Sequence, residues 1–357
     1  MLEYDFVALN TLGLQSALLA ALPEVPAADH PGAWLARITE VQREGLFLHD
    51  GHIEHAARPL PGLVHALVAQ ATALVVGDWV IAERNALGET WVTALVPRLN
   101  HLARRANDGR RQPLASNIDT ALLVMGLDHD FNPRRLERYL AFTRIAGIAP
   151  VIVLTKADLA DDPEARLAEL AARLPAHTPM LAVNALADGA RDALAPWLGA
   201  GQTVVLLGAS GTGKSTLTNT LLATPAQQTG AVRHGDNRGR HTTVARHLFR
   251  LPEGACLIDT PGLRTWRPDA DEAELSAGFD DIQALAAHCR YRDCQHREEP
   301  GCAVRGAVPD DRLRNYHKVM HDARQGRLTM LERKAQTAKW KVISKAAVAH
   351  AKAKRGG

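Results

Sequence analysis

The chain has 357 residues, enough for two or three domains and a sizeable core. Hydrophobic residues make up 46%, which excludes a largely disordered chain, and no apolar run reaches the roughly 20 residues of a membrane span. The formal charge of +3 conceals an asymmetry, since residues 312–357 carry 13 Lys/Arg and 2 Asp/Glu while the preceding body is mildly acidic; that pattern suits either a polyanionic partner or a solvated amphipathic helix.

The opening MLEYDFVALN has acidic residues and no basic n-region, so it does not read as a signal peptide and a cytoplasmic protein is expected. Residues 1–32 read as an N-terminal extension, with a weak helix in GLQSALLAAL and a loop rich in Pro and Ala. From 33 to 100, runs such as AWLARITEV, TALVVGDWVIAER and GETWVTALVP combine β-branched and aromatic residues with Gly and Asp breaks. They suit a five-stranded OB-type barrel, an architecture that commonly binds oligonucleotides. Residues 101–116, HLARRANDGRRQPLAS, read as a basic linker. Beyond it DTALLVMGL, PVIVLTKAD, MLAVNAL and QTVVLLG read as buried strands, alternating with helices in PRRLERYLAFTRIAG, PEARLAELAARL and GARDALAPWL. TTVARHLFRL and GACLIDTPG complete this region, so 117–275 is expected to form a parallel sheet with helices on both faces. Residues 276–357 hold a Cys/His cluster and then charged, Ala-rich helical sequence. The expected fold class is multidomain α/β.

GASGTGKST, residues 208–216, fits G-x-x-x-x-G-K-[ST] between an apolar strand and a helix start, the context the phosphate-binding motif requires. Gly208, Ala209, Ser210, Gly211, Thr212 and Gly213 would wrap phosphates with backbone N–H groups at a helix N-terminus, with Thr216 just beyond. Lys214 would reach the β- and γ-phosphates, and the Ser215 hydroxyl would bind Mg²⁺. In LIDTPG, residues 257–262, Asp259 ends an apolar strand near the metal position and Gly262 can offer its N–H to the γ-phosphate. The polar stretch between them is placed as a switch loop, where Thr242 or Thr243 could give a hydroxyl to Mg²⁺, Thr243 being the one taken as catalytic.

TKAD, residues 155–158, also ends a buried strand. Asp158 could accept from the N1–H and 2-amino group of guanine, which adenine lacks in that arrangement. Thr155 and Ala157 flank Lys156, whose stem could pack along base and ribose. Asn184 and Ala185 end the next strand and suit an auxiliary backbone contact to the base. The chain order is therefore base loop, auxiliary loop, phosphate loop, switch loop, Asp-Thr-Pro-Gly: a circular permutation of the usual G-domain order, tolerable because domain termini often lie close together.

Cys289, Cys294, His296 and Cys302 have the spacing C-x4-C-x-H-x5-C, and three thiolates with one imidazole make a closed structural zinc site. Cys256, in an apolar strand, reads as packing.

With these motifs in view the sequence resembles the circularly permuted, small-subunit-dependent GTPases of the RsgA family (also called YjeQ or EngC). VGDWV, LDHDFNPRRLERYL, VLTKADL, GASGTGKSTLTN, GRHTT, DTPG and the Cys/His cluster carry the resemblance over about residues 33–325. It implies an OB-fold, a permuted G domain, a C-terminal domain with one structural zinc, and GTP hydrolysis to GDP with Mg²⁺. It also implies stimulation by the 30S subunit during late maturation, with 16S rRNA as a partner; no membrane partner and a monomer are expected. Many members have Asn where this chain has Thr155, and the strongly basic N-terminal tail is not seen here. A Ras-type enzyme has Gln after Asp-x-x-Gly; here that place is Leu263, which cannot orient water, so His241 is the candidate, and the resemblance points to the same residue. The alternative function is an RNA-binding nucleotide switch with incidental hydrolysis.

Overall fold

A computed structural model of the chain describes residues 2–22, 25, 32–105, 110–175, 177–187, 189–223, 246–260, 275–276 and 279–327. Two short helices come first, α1 (Phe6–Asn10) and α2 (Ser16–Ala21). The Asp5 carboxylate caps α1 by accepting from the Ala8 N–H at 3.0 Å. Leu9, Leu12, Leu14 and Leu18 are buried, each worth about 1.5–3 kcal/mol of hydrophobic stabilisation. These four residues of the extension are thus part of the core.

Five strands follow: β1 (Trp34–Val41), β2 (Leu46–His49), β3 (Glu54–Pro59), β4 (Trp79–Arg84) and β5 (Thr90–Leu95). They pair in the order β1-β2-β3-β5-β4, and β4 returns to β1, which closes the barrel. The β1–β2 register slips between Ile38 and Glu40, and the β4–β5 register between Ile81 and Ala82; such bulges supply the bend a small barrel needs. Ala36, Ile38, Leu46, Leu48, Val80, Ala82 and Val92 fill the interior. One helix, α3 (Pro61–Ala69), lies between β3 and β4, a segment for which the sequence pattern suggested no helix.

Residues 101–116 depart from expectation. They form an antiparallel hairpin of β6 (His101–Arg105) and β7 (Arg111–Ser116), with His101 opposite Ser116. Leu102, Leu114 and Ala115 are buried, so the arginines that made the stretch read as a linker belong to a packed ladder.

The next elements alternate: β8 (Thr120–Gly126), α4 (Pro133–Ile145), β9 (Ala149–Thr155), α5 (Pro163–Ala171), β10 (Met180–Ala182), α6 (Gly189–Leu194), β11 (Thr203–Leu207) and α7 (Lys214–Leu222). Two further strands, β12 (His247–Arg250) and β13 (Cys256–Asp259), complete the sheet in the order β10-β9-β8-β11-β13-β12. The sheet is parallel from β10 to β13, as expected, and β12 adds an antiparallel strand beyond β13. β8 is buried at every position. Leu123 and Met125 pack in one layer with Leu136 and Leu140 of α4, and Leu122 and Val124 in the other with Leu217 and Leu221 of α7. The two-residue period survives inside a continuous apolar run because both faces are covered. Asn132 and Asp162 cap α4 and α5, and each is followed by proline in the first turn.

After the sheet come α8 (Asp280–Ala286) and α9 (Asp310–Arg327), on either side of the Cys/His loop. Glu137 of α4 is buried and accepts from Arg173, from Asn315 of α9, and pairs with Arg312 of α9 at 3.2 Å. Arg312 also donates twice to Asp281 at 2.6 Å. No helix among the described residues is long and apolar enough to cross a membrane.

Barrel and parallel sheet are joined edge to edge. β12 pairs with β1 through Glu40 and His247, giving one eleven-stranded sheet. Behind this seam lies Arg37 of β1, 0% exposed. Its guanidinium donates to the carbonyls of Gly77 at 3.2 Å, Asn117 at 2.9 Å and Leu12, and to Thr203 Oγ1 at 2.8 Å, and lies 5.4 Å from the Trp79 ring centroid. Arg37→Met is expected to destabilise the protein by about 2–5 kcal/mol, because buried acceptors lose their donors. Urea unfolding measures this; a loss below about 1 kcal/mol would show that the guanidinium does not hold the seam.

Candidate nucleotide and metal sites

The loops after β9, β10 and β11, with Asp259 at the end of β13, share one edge of the sheet, the carboxyl end of its parallel strands, where open α/β sheets bind ligands. The glycine-rich loop 208–213 joins β11 to α7. A Cβ on Gly208 would come within 2.4 Å of the Val124 carbonyl oxygen, and Gly213 caps α7 with φ +87°. Both positions therefore require glycine. Thr212 donates to the Ala209 carbonyl at 3.0 Å, closing the loop on itself.

Lys214 is 7% exposed and donates from Nζ to the carbonyls of Gly208 at 2.9 Å and Ala209 at 2.7 Å. Burial lowers its pKa to about 8, against the opposing pull of Asp259. Asp259 ends β13 beside Leu206 of β11, and the next residue, Thr260, donates to the Leu206 carbonyl at 2.6 Å. A strand-end carboxylate is thereby placed next to the phosphate loop. Ser215, half-buried, follows Lys214 in the first turn of α7, and Thr216 comes after it.

The base loop is bound directly to the phosphate loop. Thr155, at the end of β9, is fully buried, and its hydroxyl donates to the Thr212 carbonyl at 2.6 Å. Lys156 has a left-handed backbone, φ 60°, and its ammonium donates to the Gly211 carbonyl at 2.8 Å. Asp158 stands exposed in a 3-10 turn formed by Ala157–Leu159. The Ala157 N–H donates to the Val183 carbonyl at 3.3 Å, tying the base loop to the auxiliary loop. In that loop Asn184 Oδ1 accepts from the Leu186 N–H at 2.9 Å, and the Ala185 carbonyl accepts from Thr220 of α7 at 2.6 Å. The folded chain therefore brings together Thr155 to Asp158, Asn184 and Ala185, residues 208–216 and Asp259. His241, Thr242, Thr243 and Gly262 lie outside the described residues.

Two side chains that bond to the site's loops without belonging to them escaped the sequence reading. Thr220 is one hydroxyl in a helix rich in threonine and had no distinguishing signal. Asp128 left a weak one: an acidic residue directly after a buried strand at the carboxyl edge. It accepts from Lys156 Nζ at 2.5 Å.

The Cys/His cluster is compact. The Sγ atoms of Cys289, Cys294 and Cys302 and one ring nitrogen of His296 lie within 4.8 Å of one another. His296 Nδ1 is 3.6 Å from Cys289 Sγ and 3.5 Å from Cys302 Sγ, while the Ala303 N–H donates to Cys289 Sγ at 3.4 Å. Burial raises the Cys302 thiol pKa, but backbone N–H groups at Arg305 and Val304 help bring it below its ordinary value. Three sulfurs, one nitrogen and N–H donors aimed at sulfur fit a closed tetrahedral site, so the cluster could hold a zinc ion.

A phosphate loop on one strand, an aspartate ending the adjacent strand, and a base loop that precedes both in the chain define a circularly permuted P-loop GTPase. Residues 95–268 match the RsgA GTPase family model. The small ribosomal subunit biogenesis GTPase RsgA of Xanthomonas oryzae pv. oryzae (strain MAFF 311018) is 46% identical over 300 residues, covering 82% of this chain and 81% of that one. Its namesake from Xanthomonas axonopodis pv. citri (strain 306) is 44% identical over 317 residues, covering 87% and 86%. The chain belongs to the RsgA GTPase family. Its fold is also that of two more distant solved structures. YjeQ from Thermotoga maritima has a TM-score of 0.61 at 20% identity, covering 82% of this chain and 98% of that one. YloQ, a circularly permuted GTPase, has a TM-score of 0.58 at 23% identity, covering 84% and 98%.

The Lys214 environment predicts a proton linkage. Burial disfavours the ammonium, whose pKa is about 8, and a phosphate ligand favours it. Nucleotide affinity should therefore be flat below pH 8 and fall above it, by up to about tenfold per pH unit, with proton uptake on binding. Calorimetry at alkaline pH in buffers of different ionisation enthalpy reads that uptake; none between pH 7 and 9 would refute it. For the cluster, protein purified without chelator is expected to hold about one zinc per chain, lost in Cys302→Ser together with several degrees of melting temperature. Elemental analysis finding no zinc in the parent protein would exclude the site.

Proposed function

We propose that this GTPase hydrolyses GTP to GDP and phosphate on the small (30S) ribosomal subunit and assists late maturation of that subunit. One observation carries the nucleotide reading: Thr155 and Lys156 bind the base loop directly to the phosphate loop. A nucleotide lying on residues 208–213 then places its base beside Asp158, whose carboxylate matches the N1–H and 2-amino donors of guanine. Adenine would leave it unpaired, so GTP is selected over ATP. The ribosomal reading is supported by relatives, named small ribosomal subunit biogenesis GTPases, that match more than four fifths of the chain.

Within this reading Lys214 binds the β- and γ-phosphates, Thr216 and the loop N–H groups hold the remaining oxygens, and Gly262 offers its N–H to the γ-phosphate. Ser215, Asp259 and Thr243 (or Thr242) would hold Mg²⁺, which neutralises charge across the β- and γ-phosphates when bound. Leu263 has no group to orient water, and we assign that role to His241. Cys289, Cys294, His296 and Cys302 would hold one structural zinc. Lys/Arg side chains of residues 308–357 would face phosphates of 16S rRNA. We divide the chain at 1–32, 33–100, 117–275 and 276–357, with hairpin 101–116 between barrel and G domain, and assign it to the cytoplasm as a monomer.

Single-turnover and steady-state hydrolysis with and without purified 30S subunits tests the proposal. Turnover should rise by at least about tenfold on the subunit, and GTP should outcompete ATP by more than about a hundredfold. His241→Ala should keep GTP affinity and lose about a hundredfold in stimulated turnover. Equal rates with and without 30S subunits would overturn the ribosomal reading.

A further inference from the structure

The β8–α4 turn plays no part in the nucleotide reading above. It carries Asp128, two residues beyond the end of β8, at the same edge of the sheet as the base loop. Its Oδ1 accepts from the Asp130 N–H at 3.0 Å, and its Oδ2 from Lys156 Nζ at 2.5 Å. The turn thus fixes one oxygen and aims the other at the base loop. The pair is sheltered, the Lys156 side chain being 30% exposed and that of Asp128 18%. Burial would raise the Asp128 carboxyl pKa, yet the bond from Lys156 helps bring it below its ordinary value. Ion pair and hydrogen bond therefore prevail over desolvation.

The base loop needs this support. Thr155 can donate one hydrogen bond, and its hydroxyl lies 2.6 Å from the Thr212 carbonyl and 3.3 Å from that of Met125. An asparagine carboxamide would offer two donors and an acceptor. The second tie to the phosphate loop is therefore the Lys156 ammonium on Gly211. That tie spans a residue with φ 60°, a left-handed backbone region that is strained for a non-glycine residue. A lysine stem with four rotatable bonds keeps one geometry only if its head is held. Asp128 holds it.

We infer that Asp128 is a positioning residue for the guanine nucleotide: it keeps Lys156 stretched from the base loop to the phosphate loop, presetting the lysine stem as the floor for base and ribose. The inference rests on the reading of residues 155–158 as the base loop. Asp128 acts through Lys156 without touching nucleotide, so it governs GTP and GDP binding alike and leaves the hydrolytic step unchanged.

The test is a double-mutant cycle on the full-length protein, reading GDP affinity, GTP KM and kcat. Asp128→Asn, which keeps the turn's acceptor, should weaken GDP and raise KM by about fivefold to tenfold, with kcat within about twofold. Lys156→Met should weaken binding at least as much, and the double variant should be no weaker than Lys156→Met alone. An unchanged affinity in Asp128→Asn, or losses that multiply in the double variant, would overturn the inference. Asp158→Asn is the separate control on the base loop: it should shift preference from GTP toward xanthosine triphosphate, whose 2-oxo group suits an amide donor. If that preference does not move, the base-loop reading itself fails, whatever the cycle shows.

Discussion

A guanidinium does not give up its proton, so Arg37 carries a permanent charge into the centre of the molecule, and three parts of the chain are arranged to satisfy it. The N-terminal segment contributes the Leu12 carbonyl, the turn into β4 of the barrel the Gly77 carbonyl, and the parallel-sheet side Thr203 of β11 and the Asn117 carbonyl just before β8. Around it Asp119 accepts from the Thr203 N–H at 2.7 Å and from Gln15 at 2.6 Å. Asp78 takes two bonds from Arg98 and one from Ser116. Among the described residues the ladder between β1 and β12 is the pair Glu40–His247, which by itself would not align a barrel with a sheet. The buried polar cluster supplies that alignment, because any slip would leave charged groups unpaired away from water. The seam also reaches the nucleotide edge: Thr203, bonded to Arg37, begins the strand that leads into residues 208–213.

The contact between α4 and α9 uses the same device at smaller scale. Glu137 is a buried carboxylate surrounded by Arg173, Arg312 and Asn315. Apolar side chains could hold two helices as strongly, but in several registers. A carboxylate with three donors admits one, and it sets where the helix following the Cys/His cluster meets the G domain.

Much of this was legible in the sequence, and the exceptions share a cause. Gly208, Lys214 and Asp259 announce themselves because strand, loop and helix follow in immediate succession. Cys289 to Cys302 announce themselves through spacing. Residues 101–116 did not, because two short strands that carry three arginines between them are recognised only by their pairing, in which Leu102 meets Ala115. The direction of β12 is set by pairing with β13 and is invisible in its own four residues. The burial of Leu9 and Leu12 depends on the sheet face that covers them. Asp128 was passed over because its partner Lys156 is 28 residues away. Thr155 offers its loop fewer hydrogen bonds than an asparagine carboxamide would, and the sequence alone could not show a carboxylate waiting across the gap.

The permutation also has a consequence in time. Synthesis runs from the N-terminus, so Thr155 and Lys156 emerge before the carbonyls that receive them, which follow 57 and 55 residues later. β8 and β9 can pair early, but one edge of β8 stays bare until β11 arrives, and Asp259 comes later still. In the unpermuted order a nascent chain owns its phosphate loop from the outset. Here Thr155 and Lys156 wait without their acceptors until β11 and residues 208–213 have been made, so the base loop gains its anchor only when the phosphate loop is in place.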